Sequence, residues 1–471
     1  MSFYSWQFAV FFATVVALYY SAPQRLRVPL LLGSSVLFYV SYIPQYIVVL
    51  ALLILVDYCA GLLIERATSQ GRRKLWLGLS LASNLGLMFA FKYSQDLTGK
   101  SLGPIPLGLS FHTFQAMAYT IEVYRGRQAA ERSLWVYAIY VLFFPQIASG
   151  PIERPQSLLP QFRKPVAFDY ANVVSGLQLM LWGIFQKYVV ADLLAVVVNA
   201  VYRADNPLTG PLAVFGGVCF AFQIFCDFAG YSEIALGAAQ VLGFRLTRNF
   251  NHPFSADSMA EYWKRWHISL SNWMRDYVFF PLCGSRPRMW RICGSIIVVF
   301  LANGLWHGLR WNYLVSGLLH GMYRVIELLG GRAISRAGWT APARWSGALK
   351  IARTVLVFSL MTLAFQFFRG NSLSHTWGVL SHMATGWDQA LHLSSLTLAA
   401  GAAGLDLSLF VKAALMIGFV MAIQAMRAKH PLRPRIAALP AGYRWAVYYA
   451  AAVAVLLLGG ANSQPFIYFQ F

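Results

Sequence analysis

Long apolar runs separated by short polar stretches make up most of the chain. Runs long enough to cross a bilayer fall near 5–21, 28–43, 45–64, 75–92, 106–123, 173–202, 211–243, 292–308, 311–328, 351–368, 408–426 and 445–460. A helix needs about 20 mostly apolar residues to span the hydrocarbon core. The pattern therefore predicts an all-α polytopic membrane protein of roughly 11–12 transmembrane helices. The run 133–150 contains FFPQIASGP, whose Pro and Gly spoil a plain span. It reads as a re-entrant segment, which a membrane tolerates only inside protein or beside a watery cavity. The stretch MSFYSWQFAVFF lacks a basic n-region and reads as an uncleaved first span. The longest polar interruption, 244–291, is where chemistry can be built without a separate soluble domain. One membrane domain over 1–471 is expected, with C-terminal helices in 351–460 and an aromatic tail at 461–471.

Composition sharpens this picture. Hydrophobic residues make up 58% of the 471 and charged residues 12%, about half the charged share of a soluble chain. The net charge of +21 invites a nucleic-acid reading, but the bases sit in short loops rather than on one soluble face. Clusters at Arg25/Arg27, Arg66 to Lys74, Arg125 to Arg132, 245–291, 332–353 and 427–444 mark the cytoplasmic side, whereas 370–406 contains no Lys or Arg. Both termini are then expected on the extracytoplasmic face. The five cysteines form no CxxC pair and imply no disulfide framework.

Ionisable residues inside apolar runs are the default candidates for function. Of nine histidines, His375, His382, His392 and His430 lie in loops and read as solvated. His307, in FLANGLWHGLRW, ends an apolar run between glycines. A neutral imidazole there either takes a proton from a hydroxyl and returns it, or bonds a neighbouring helix. His267 lies in EYWKRWHISLSNWMRDY, which as one helix would present Trp263, Trp266, Trp273 and Tyr277 to the membrane interface. That reading leaves the histidine unexplained. His320, flanked by Gly321 and two turns before Glu327, either supports a site or braces its helix. No HxxxH or HExxH spacing supports a metal site on these histidines. Asp227 and Glu233 flank Tyr231 in QIFCDFAGYSEIALG, where Gly-Tyr-Ser would loosen a helix. They orient a base, line a polar tunnel, or pair with loop arginines. No GxSxG, Walker loop or GxGxxG occurs. The tail PFIYFQF either anchors in the interfacial belt or offers Tyr468 as an acyl acceptor.

Five stretches together resemble the membrane-bound O-acyltransferase family, in the branch of alginate O-acetylation and teichoic-acid D-alanyl transfer. They are PLGLSFHTFQ (106–115), FFPQIASGPI (143–152), QIFCDFAGYSEIALG (223–237), EYWKRWHISLSNWMRDY (261–277) and NGLWHG (303–308), covering about 100–330. The resemblance implies helices and re-entrant segments around a central tunnel, where a cytoplasmic acyl donor meets an acceptor from the other side. It maps the family's central histidine to His307 and its second to His267, with Trp306, Trp266, Asn303, His320, Asp227, Tyr231 and Glu233 in supporting or tunnel positions. Asn303 departs from the usual Gly. It also implies that Tyr468 carries the acyl group outward.

No bound cofactor or metal is expected, with acetyl-CoA or an acyl carrier protein thioester as donor. The implied setting is a bacterial inner membrane. The expected partners are membrane lipid and a periplasmic SGNH-hydrolase or esterase-like acetyltransferase, with no nucleic acid. D-alanyl transfer, lipid or protein acylation, and transport without chemistry remain the alternatives.

Overall fold

The computed structural model describes all residues except 101–102, 104, 107, 148–149, 204–208, 339–341, 389–397, 399–400, 402–403, 431, 460–463 and 468–471, and the side chain of residue 95. Helix is the regular secondary structure of the described residues, which contain no strand. In order they form α1 (Trp6–Ser21), α2 (Gln24–Val40), α3 (Ile47–Arg66), α4 (Gln70–Thr98), α5 (Leu109–Tyr124), α6 (Leu134–Leu142), α7 (Pro155–Arg163), α8 (Tyr170–Ile184), α9 (Asp192–Val201) and α10 (Gly210–Val241). The polar interruption holds α11 (Met259–Arg265), α12 (Ile268–Met274) and α13 (Phe280–Cys283). There follow α14 (Met289–His307), α15 (Trp311–Arg336), α16 (Ser346–Arg369), α17 (Leu373–Met383), α18 (Leu407–Lys429), α19 (Leu432–Ala437) and α20 (Ala441–Leu458). Among the described residues, eight helical stretches are long and apolar enough to cross a membrane. The chain is an all-α polytopic membrane protein.

The chain divides into two compact units, residues 1–184 with 231–248, and residues 185–230 with 249–471. In the first unit the expected re-entrant segment takes physical form. Helix α6 has nine residues, too short to cross at 1.5 Å per residue, and the chain leaves helical geometry at Phe143 while staying buried through Ile147. Buried irregular backbone must find hydrogen bonds, and here side chains supply them. Ser35 Oγ accepts from Phe144 N (3.1 Å), and Gln146 Nε2 donates to Tyr140 O (2.8 Å). Gly108, in the left-handed region at φ 67°, has no room for a Cβ against the Ile147 carbonyl oxygen. Two of the motif stretches therefore meet through a glycine no other residue replaces.

In the second unit, α14 and α15 form a tight hairpin. A Cβ on Gly304 would lie 2.5 Å from the Tyr313 carbonyl oxygen, and one on Gly317 would strike the Phe300 carbonyl. Glycine at both positions lets the two backbones touch, as small residues do between membrane helices. Asn312 donates to Gly370 O (2.7 Å) and Ser316 to Ala364 O (3.1 Å), which ties α15 to the C-terminal half of α16.

Candidate active site

His267 sits where the sequence pattern suggested one continuous helix. The structure breaks that helix at Trp266, and His267 takes a left-handed backbone (φ 43°, ψ 55°) to start α12. A non-glycine residue held there costs on the order of 1–3 kcal/mol and persists only where its surroundings enforce it. Asn249 enforces it: its carbonyl accepts from Ile268 N (2.9 Å), and its side-chain oxygen accepts from Ser269 Oγ (2.7 Å). The serine of the Trp-His-Ile-Ser motif thus orients the histidine. On the other side of the break, Glu327 accepts from Met259 N and Ala260 N (2.7 and 3.1 Å), placing a carboxylate at the positive end of α11. The expected interfacial helix is corrected accordingly, since Trp266 and Trp273 are buried rather than facing lipid.

His307 is the last residue of α14. Its ring stands edge-on to Phe368 at 4.6 Å and lies 4.4 Å from Trp306. Trp306 in turn lies 6.3 Å from the His267 ring, and Phe228 meets His267 edge-on at 4.7 Å. Both histidines line one cavity of about 40 Å³, together with Trp266, Asn303, His320 and Trp263. Three buried polar atoms on its wall, Trp263 Nε1, Asn303 Oδ1 and His320 Nδ1, have no hydrogen-bond partner among the described residues. Burial pushes His267, which lies outside the membrane-spanning helices, down to about 3. Its imidazole is neutral at physiological pH, with one N–H donor and one acceptor. The three histidines share a cavity, yet among the described residues no three His, Cys, Asp or Glu side chains converge to hold a metal.

A second cavity of about 190 Å³ adjoins the first, with Tyr313 and Phe368 in the walls of both. It is polar, lined by Lys187, Asp192, Asp227, Arg310 and Arg369 and by the tail residue Gln464. Asp227 pairs with Lys187 Nζ (2.6 Å) rather than with a loop arginine. Helix α10 runs unbroken through Gly-Tyr-Ser, so the expected loosening is absent. Six residues along such a helix place Asp227 and Glu233 on different faces. Tyr231 and Glu233 belong to the first unit, where Tyr231 packs on Phe3 at 4.8 Å. Tyr468 lies outside the described residues.

Sequence reasoning missed Lys187 and Asp192. They are the charged residues inside the apolar run 173–202, a signal that was present. Five residues apart, they would diverge on an α-helix. The π-helical turn Phe185–Ala191 brings them to one side, and Lys187 Nζ reaches Asp192 Oδ1 at 2.8 Å. Tyr313 and Phe368 were likewise invisible as wall residues, because an aromatic in an apolar run carries no label, and Trp263 was read as an interfacial aromatic.

Residues 106–368 match the profile described as MBOAT, membrane-bound O-acyltransferase family. The chain belongs to this family. Among similar proteins, the probable alginate O-acetylase AlgI of Pseudomonas putida is 30% identical over 98% of this chain and 98% of its own length. The peptidoglycan O-acetyltransferase of Helicobacter pylori is 29% identical over 74% of this chain and 72% of its own. The teichoic acid D-alanyltransferase of Bacillus subtilis is 29% identical over 57% of this chain and 70% of its own. The matched region contains both histidines and both cavities' principal walls. The protein is an O-acyltransferase, and its shared histidine cavity is the candidate active site of that family's chemistry.

Proposed function

We propose that this O-acyltransferase moves an acetyl group from a cytoplasmic thioester, acetyl-CoA or an acyl carrier protein, to a hydroxyl on the extracytoplasmic side, for O-acetylation of a polysaccharide. One observation carries the reading: His267 and His307 line the same cavity, and the polar cavity sharing its Tyr313 and Phe368 walls is occupied at one edge by the tail just before Tyr468. The 40 Å³ of the inner cavity suits a short acyl group. Its partnerless Trp263, Asn303 and His320 atoms offer hydrogen bonds to reactants.

His307 acts as general base, taking the proton from the attacking hydroxyl as the new C–O bond forms on the thioester carbonyl. The tetrahedral intermediate collapses with cleavage of the C–S bond, and the thiolate leaves. The proton on His307 is then available to that thiolate. His267, neutral and fixed by Asn249, donates a hydrogen bond on the donor side. Tyr468 is the first acceptor, and a periplasmic SGNH-hydrolase or esterase-like partner takes the acetyl group from its phenol oxygen to the polysaccharide. The alginate reading follows the Pseudomonas putida relative named above; the family resemblance implies a bacterial inner membrane, and the loop charges put both termini outside.

The test is mass spectrometry of the C-terminal peptide from protein purified from its native host, with His307→Ala alongside. The expected result is an acetyl mass on Tyr468 in the wild type only. An unmodified Tyr468 in both, with polysaccharide acetylation surviving Tyr468→Phe, would overturn the carrier step. An alanyl mass would move the protein to the D-alanyl branch.

A further inference from the structure

The Lys187 side chain is a buried cation with a complete set of partners, and one of them is the tail. Its ammonium has three N–H donors. They go to Asp192 Oδ1 (2.8 Å), Asp227 Oδ1 (2.6 Å) and the backbone carbonyl of Gln464 (3.0 Å). The other oxygen of Asp227 accepts from the backbone N–H of Ile467 (2.8 Å). All three charged side chains are no more than 4% exposed. Between the two anchored peptide groups, Pro465 has no N–H to offer, and Phe466 is 2% exposed with its ring 6.0 Å from Phe228. Phe228 is the residue standing edge-on to His267.

A buried charge is tolerated when every donor and acceptor around it is met, and removing one partner leaves the rest exposed to the low dielectric. Two carboxylates and one ammonium carry a net negative charge by themselves. The tail answers that imbalance with an N–H directed at Asp227 and fills the last donor of Lys187 with a carbonyl. Recognition runs through the backbone, while Phe466 and Ile467 supply the apolar seat. We propose that Lys187, Asp192 and Asp227 form a backbone clamp that seats residues 464–467, the segment that leads directly into Tyr468. These are positioning residues. The proposal rests on the carrier reading of Tyr468 for its purpose, but not for the seating itself.

Hydrogen–deuterium exchange on the full-length protein in detergent separates the two. Lys187→Met and Asp227→Ala attack the clamp from the helix side, and Ile467→Pro removes the tail donor while leaving the ion cluster untouched. The expected result is amide exchange at 464–467 faster by about tenfold or more, since hydrogen bonds to charged groups are worth at least that in an opening equilibrium. Peptides from α14 keep their protection. Asp227→Ala combined with Ile467→Pro is expected to be no worse than Asp227→Ala alone, because that substitution already removes the Ile467 bond. In parallel, the rate of acyl loading onto Tyr468 falls while the KM for the donor holds.

Unchanged tail exchange in Lys187→Met and Ile467→Pro, with α14 intact, overturns the clamp. If Lys187→Met loses protection in α14, Ile467→Pro decides alone. Faster tail exchange together with a wild-type Tyr468 that never carries an acyl group leaves the clamp standing as a docking site and removes the carrier reading.

Discussion

Two of the carboxylates buried within membrane-spanning helices of this protein, Asp57 and Asp227, have surroundings that differ in kind. Asp57 of α3 accepts from Ser80 Oγ (2.6 Å) and from Asn84 Nδ2 (2.9 Å), both on α4, and Ser80 continues to Thr120 of α5 at 3.0 Å. Every partner is a neutral side chain on a neighbouring helix. Asp227 of α10 instead faces a buried ammonium, borders a 190 Å³ cavity and takes a hydrogen bond from the C-terminal tail. An intramembrane carboxylate invites a functional reading. The contrast says which ones merit it: Asp57 is closed by its own scaffold, whereas Asp227 needs a segment that arrives from 240 residues away.

The largest expected effect fixes the scale for that contrast. His307→Ala removes a general base, so acyl transfer falls by about 10²–10⁴-fold, while thermal unfolding in detergent stays as in the wild type. A fall in melting temperature matching the loss of transfer would make His307 a brace between helices instead. Next comes Asp227→Ala, which strips one partner from a buried ion pair and is expected to cost about 3–5 kcal/mol of stability along with the seating of the tail. Asp57→Ala leaves neutral groups without partners, for about 1–3 kcal/mol. It should reduce transfer only as far as it reduces the folded fraction. Denaturation and specific activity measured on both variants test the comparison directly. A transfer defect in Asp57→Ala beyond its stability loss would erase the distinction between a closed and an open carboxylate.

The parts of this arrangement legible in the sequence are those written in short-range pattern. Apolar run length predicted the spanning helices, and the Pro and Gly of FFPQIASGP predicted the broken segment after α6. His307 and His267 stood out as ionisable residues beside aromatic and glycine motifs. Other features depend on backbone geometry that composition does not encode. The π turn that aligns Lys187 with Asp192 has no residue signature, and the left-handed His267 looks from the sequence like any helical position. The long-range seating of Gln464 and Ile467 on Lys187 and Asp227 joins residues some 240–277 apart, as the separations of those two bonds record. An apolar run reveals that a helix exists, but not which of its rare charges will meet.

A third buried carboxyl extends the comparison to one that titrates near neutrality. Glu153, in the loop before α7, is fully buried and accepts from the backbone N–H and the hydroxyl of Thr247 (3.2 Å for the hydroxyl). Burial raises it to about 7, against a weaker opposing pull from those two hydrogen bonds and from Arg154. Its unfolded value is about 4.3–4.5, so between that and 7 the folded state holds a proton the unfolded chain has released. Stability contributed by this group is therefore full below the lower value, falls as pH rises through the window, and is flat above about 7. Glu153→Gln keeps an acceptor oxygen for the Thr247 N–H and cannot ionise, so it should unfold with no such slope. The expected outcome is a stability difference, variant minus wild type, that grows by about 1–3 kcal/mol between pH 5 and pH 8. In a thermal melt this is about 2–4 °C per kcal/mol for a unit of this size. A difference that stays constant over that range would mean Glu153 is already ionised in the folded protein. It would then belong with Asp227, as a charge held by partners, and not with Asp57, as a carboxyl closed inside its scaffold.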